Sequence, residues 1–220
     1  MAGEPCYHGQ YSAPGQREAA IDMKATQISR AALTALFERM DLALEATQNP
    51  RAQTLCVFGA AAVLLYGSDE RQTQYIDVWR SASAINDRDL AEMARHAGLD
   101  LNPEAMDPDR IYLQVVGDGV VRLPAYSHEK AAWPGGKPSE ILWAGRFLTI
   151  AAPPPEIVAA AKLARADPSD IEDIIYIMAK RQITLDLIAE AVESFPPAAR
   201  QRAAENVVLL EATIEAGPKR

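Results

Sequence analysis

Residues 54–79 read TLCVFGAAAVLLYGSDERQTQYIDVW, and the succession of residue types in this stretch decides the fold class. Thr54 to Phe58 is a short β-prone run that stops at Gly59. Ala60 to Tyr66 has helical composition and ends at Gly67, and Thr73 to Trp79 returns to the β-branched and aromatic content of a strand. The expected order is strand, tight turn, helix, strand. A strand that ends in glycine and opens directly into a helix gathers free backbone N–H groups and the positive helix end at one point, which suits a phosphate. The next strand carries a carboxylate, Asp77. Side chains alternate along a strand, so Tyr75, Asp77 and Trp79 share one face.

Outward from this unit, apolar residues at roughly helical spacing run from Thr26 to near Asn49-Pro50 and predict one helix. Asn86 as N-cap and Gly98 as stop bracket another, with Leu90, Met93, Ala94 and Ala97 on its inner face. Ile111 to Val116, the turn Gly117-Asp118-Gly119 and Val120 to Leu123 read as a β-hairpin, and Ile141 to Ile150 as one further strand. Pro153-Pro154-Pro155 cannot continue a sheet. Four amphipathic helices are expected beyond it: Glu156–Ala166, Ser169–Lys180, Thr184–Glu193 and Ala198–Ala216. The reading is therefore a leader over residues 1–22 without periodicity, a mixed α/β domain over 23–152, and a helical C-terminal domain over 153–220.

Composition narrows the function classes. With 220 residues and 49% hydrophobic content the chain is long and apolar enough for a real core. Cys6 and Cys56 make no disulfide framework and no zinc spacing, and the start has no apolar signal segment, so a cytoplasmic protein is expected. The longest apolar run, Leu55 to Tyr66, is far short of a membrane span. A net charge of −8 argues against a surface that binds nucleic acid throughout, and leaves room for a local basic groove. His8, His96 and His128 have no Ser or Cys arranged around them for a hydrolytic triad.

Gly59-Ala60 opening a helix, Tyr66-Gly67, Arg71, Thr73 and Ile76-Asp77-Val78 resemble the core signature of the minimal nucleotidyltransferases, most nearly the AbiEii-type toxins. The segment Pro155 to Arg165, followed by Asp170 to Ile175, is similar to that group's helical half, in which a Lys-bearing helix precedes an Arg/Asp-rich one. The resemblance implies an α/β nucleotidyltransferase-like mixed sheet flanked by helices, followed by a C-terminal helical bundle. It also implies transfer of a nucleoside monophosphate from an NTP to an RNA or protein acceptor with Mg²⁺, in a bacterial toxin–antitoxin or defence setting with a cognate antitoxin or operon partner. On that pattern Asp77 is the metal-binding and catalytic residue, Gly59, Ala60 and Lys162 hold phosphates, and Arg71 and Thr73 contribute to the nucleotide site.

The chain departs from the pattern at three places. Tyr75 stands where the first aspartate of the Asp-x-Asp pair belongs, Ala60 replaces the second small residue of the Gly-Gly or Gly-Ser turn, and Arg122 occupies the position of a third carboxylate. A phenol with a pKa of about 10 does not replace an ionised carboxylate as a ligand for a hard metal at neutral pH. A second reading therefore stands beside the first: a degenerate member that keeps the fold as a nucleotide-, nucleic-acid- or partner-binding module. Several single residues also have ordinary structural readings. Asp77 could pair with Arg71 or Arg80, Lys162 could be a solvated helix residue, and Asp170 and Asp173 read as a solvated first turn. Asp69 and Glu70 are loop acids that could supply a missing metal ligand, and Cys56 reads as a small buried hydrophobe.

Overall fold

The computed structural model describes residues 27–47, 50–105, 107–117 and 123–217. The leader over 1–22 and residues 118–122 of the expected hairpin, including Arg122, lie outside the described residues, and Leu123, the expected end of its return strand, is buried but not in a strand.

The chain opens with α1 (Arg30–Glu45), capped by Ser29, whose hydroxyl accepts from the Ala32 amide. Then come β1 (Gln53–Phe58), α2 (Gly59–Leu65) and β2 (Tyr75–Trp79), in the order the opening stretch predicts. Helix α3 (Asp87–Ala97) has the predicted ends: Asn86 Oδ1 accepts from the Asp89 amide, and Gly98 closes the helix in the left-handed conformation at φ 76°. Two short strands follow, β3 (Asp100–Leu101) and β4 (Tyr112–Val116). Ile141 to Ile150 is not one strand but two, β5 (Glu140–Ala144) and β6 (Leu148–Ala152), which pair antiparallel around a turn at Gly145. The C-terminal helices are α4 (Pro155–Leu163), α5 (Pro168–Arg181), α6 (Leu185–Glu193) and α7 (Pro197–Ala216). Three of these four start with proline in the first turn, where its missing N–H costs nothing.

The six-stranded mixed sheet has the order β3-β4-β2-β1-β6-β5. Strand β1 pairs antiparallel with β2 and parallel with β6, and β2 pairs parallel with β4. The register sets Phe58 opposite Asp77, which brings the strand carboxylate to the junction of β1 and α2. Strand alternation divides the core. Leu55, Val57, Ile76, Val78, Leu148 and Ile150 pack with α1 and α3, whereas Cys56, Phe58, Trp79 and Ala152 pack with α4 to α7. The helical half thus covers one face of the sheet. Helix α4 is its centre: Ile157, Val158, Ala159, Ala160 and Leu163 are all buried, and it touches α5, α6 and α7. Among the described residues no helix is long and apolar enough to cross a membrane.

The turn that splits the long strand is held from a distance. The Asp41 carboxylate on α1 accepts hydrogen bonds from the backbone amides of Arg146, Phe147 and Leu148 at 2.8, 2.8 and 2.7 Å. A Cβ on Gly145 would stand 2.5 Å from Asp41, so only glycine lets the carboxylate approach. Gly145→Ala is expected to cost about 1–3 kcal/mol in chemical denaturation, as overpacked sites do. In an Asp41→Ala background the same change should be nearly neutral, because the colliding group is gone; equal costs in both backgrounds would show that the clash is not with Asp41.

Candidate functional site

A cleft of about 650 Å³ opens where the end of β1 meets α4 and α7. Gly59 forms its floor at the start of α2, with φ +63°, a left-handed conformation that a side chain resists. A Cβ there would also meet Asp77 Oδ2 at 2.8 Å. Glycine is required for both reasons, and the result is a strand carboxylate set against the strand-to-helix turn. Tyr75 and Asp77 line the cleft from β2, as strand alternation predicts. Trp79, two residues further on, turns into the core and meets Phe58 edge-on.

The opposite wall is charged. Lys162 on α4 is 5% exposed, and its ammonium bonds Asp170 at 3.2 Å and Asp173 at 2.7 Å. Arg165 clamps Asp170 through two parallel hydrogen bonds of 2.6 Å. Arg71, from the loop before β2, reaches across from the α/β half to Asp173 at 3.2 Å, and its Nε is buried without a hydrogen-bond partner. Asp170 and Asp173 are therefore not a solvated first turn. Both are buried, at 0% and 5% exposure, behind the cations that face the cleft. Helix α7 completes the wall: Asn206 donates to the Leu163 carbonyl at 2.9 Å, which holds α7 on the end of α4 and leaves Arg202 and Glu205 at the opening.

Electrostatics follow from burial. Desolvation raises the Asp77 carboxyl from an ordinary 3.8 to about 6, while Lys162 and Arg165 pull it down in part. For Asp170 burial also opposes the charge, but the hydrogen bonds and charges of Arg165 and Lys162 outweigh it and hold the carboxyl below its ordinary range. The structural partners that the sequence suggested for Asp77 are engaged elsewhere, Arg71 with Asp173 and Arg80 with Asp87.

The sequence profile of a family described as "Nucleotidyltransferase of unknown function (DUF6036)" matches residues 31–209. The chain belongs to this nucleotidyltransferase family. The matched span includes β1, α2, β2 and all of the cleft lining. No curated protein and no solved structure matches the chain.

Metal-dependent transfer in a nucleotidyltransferase needs carboxylates that converge on Mg²⁺. The donor set here does not fit a two-ion site. Among the described residues no three His, Cys, Asp or Glu come together as ligands. Asp77 has the Tyr75 phenol as its strand neighbour in the cleft, and Asp170 and Asp173 are already bonded to cations. Asp69 and Glu70 do not line the cleft, and Asp69 points outward to Arg30 at 3.5 Å.

Of the residues named from the sequence, Gly59, Ala60, Arg71, Asp77 and Lys162 line one cleft. Thr73 does not line it. Its hydroxyl donates to the Tyr75 carbonyl at 3.0 Å, and its backbone pairs with Ile28. Arg202 escaped the sequence reading. The one signal for it was the stripe of Ala199, Ala203 and Leu210, which fixes the buried side of α7 and leaves residues 202 and 206 at its edge.

A folded carboxyl at about 6 keeps its proton where the unfolded chain has lost it. Asp77 therefore lowers stability as pH rises from about 4 to about 6, with a full cost on the order of 3 kcal/mol above that window. Asp77→Asn is expected to raise the unfolding midpoint at pH 7.5 and to leave it nearly unchanged at pH 4; an equal effect at both values would show that the carboxylate carries no burial cost. Asp173→Ala removes a buried partner from Lys162 and Arg71 and should cost about 3–5 kcal/mol by equilibrium denaturation.

Proposed function

We propose that the cleft binds a nucleotide through its phosphates, and that the chain acts as a nucleotide-binding member of its family. The observation that carries this reading is the convergence of Arg71, Lys162, Arg165 and Arg202 on the cleft that holds the Gly59 turn, in a chain with a net charge of −8. Cations outnumber carboxylates four to two in the lining, where Asp77 and Glu205 are the acids, and a local surplus of this kind on an acidic protein favours an anionic ligand. Guanidinium groups match phosphate oxygens in pairs, and the buried ammonium of Lys162 supplies a compact charge beside them. Tyr75 lines the same cleft and offers aromatic surface to a base.

A second reading keeps the transfer reaction: an NTP donates its nucleoside monophosphate to an RNA or protein acceptor with Mg²⁺ at Asp77, in a cytoplasmic toxin–antitoxin or defence system with a cognate antitoxin or operon partner. Family membership and the adjacency of Asp77 to the Gly59 turn favour it. The unsupported carboxylate weighs against it, because positioning alone stabilises a transferring phosphoryl group poorly without its metal ions.

Calorimetric titration of the four NTPs, in Mg²⁺ buffer and again in EDTA, tests the first reading, and transfer of α-labelled phosphate to total RNA and protein tests the second. Binding in at least one buffer is expected, with triphosphate tighter than diphosphate and nucleoside weakest, and no label transferred. Label transfer that disappears in Asp77→Ala would put the second reading in place of the first. No binding of any NTP in either buffer would overturn both.

A further inference from the structure

A polyphosphate is multiply charged, and a protein takes it in one of two ways: with divalent ions held on carboxylates, or with guanidinium and ammonium groups alone. The cleft is built in the second way. Arg71, Lys162, Arg165 and Arg202 line it against two carboxylates, Asp77 and Glu205. Two further acids behind the wall, Asp170 and Asp173, are buried, and each is ion-paired to two of these cations. They hold Lys162, Arg165 and Arg71 in place, two counter-charges shared among three cations. Tyr75, where the metal-dependent pattern has an acid, brings a phenol to the lining instead of a carboxylate.

We infer that the cleft takes the phosphates of its nucleotide free of divalent metal, with Arg71, Lys162, Arg165 and Arg202 supplying the positive charge that metal ions bring in metal-dependent transfer. The inference rests on the nucleotide reading above and names the form of ligand that the cleft accepts. A Mg²⁺-bound nucleotide is the poorer ligand on two counts: its phosphates are partly neutralised, and it brings a dication to a lining in which cations outnumber carboxylates four to two. Asp77 is then not a ligand but a like-charged neighbour of the phosphates, and it opposes binding. That reverses the sign of its mutation. If Asp77 held a metal that bridges to the nucleotide, removing its charge would abolish binding; if it faces bare phosphates, removing its charge strengthens binding or leaves it unchanged.

The test is calorimetric titration of ATP into the full-length chain, once in EDTA and once in excess MgCl₂, for the wild type, Asp77→Asn and Arg202→Gln. Arg202 is exposed at the mouth of the cleft, so its substitution is not expected to disturb folding, and thermal unfolding of each variant checks this. Affinity in EDTA should equal or exceed that in Mg²⁺, Asp77→Asn should bind metal-free ATP as tightly as the wild type or tighter, and Arg202→Gln should bind it about threefold or more weakly. Tighter binding in Mg²⁺ than in EDTA, weakened binding by a folded Asp77→Asn, or unchanged binding by Arg202→Gln would each overturn the inference while leaving nucleotide binding itself in place. No binding in either buffer would overturn the nucleotide reading, and this inference with it.

Discussion

Two carboxylates on the first turns of α5, Asp170 and Asp173, lie almost completely out of water, and the geometry of the cleft depends on how their charge is balanced. An isolated buried carboxylate is far too costly to keep, so each must be met by cations with good hydrogen-bond geometry. Lys162 meets both from α4, Arg165 meets Asp170 from the end of the same helix, and Arg71 meets Asp173 from the other half of the chain. The last contact ties the loop before β2 to α5. One electrostatic requirement therefore lines up the helical half against the sheet and presents three cations along one wall.

The facing wall obeys a steric requirement. Antiparallel pairing of β1 with β2 puts Asp77 opposite Phe58, and the next residue must turn into α2 with a positive φ. Glycine meets both demands, and the carboxylate that settles against it is half-buried and raised to about 6. Its burial stabilises nothing in the fold, because desolvation outweighs the attraction of Lys162 and Arg165.

Much of the architecture was legible in local sequence. The β1–α2–β2 unit, both ends of α3, and the four C-terminal helices follow from periodicity, caps and prolines within a few residues of where the structure has them. The failures were of another kind. Residues 141–150 have the apolar content of a single strand, but three backbone amides of the turn are claimed by Asp41 on α1, and the strand folds back on itself. Strand β3 has two residues and pairs with β4 alone, too little for any pattern to register. Thr73 shares its strand run with Asp77, yet its hydroxyl is taken by its own backbone neighbourhood.

The sequence by itself determined which segments are helix or strand, and it marked Gly59, Arg71, Asp77 and Lys162 as residues with chemistry to offer. These properties are local: they depend on spacing, on backbone freedom and on the residue types at helix ends. Tertiary structure alone decided that Asp170 and Asp173 are buried counter-charges rather than solvent-facing acids, that Arg202 belongs to the cleft, and that Asp77 stands among cations instead of among acids. Charge balance acts through space between segments far apart in the chain, and no pattern within a segment encodes the sign of the groups that will face it.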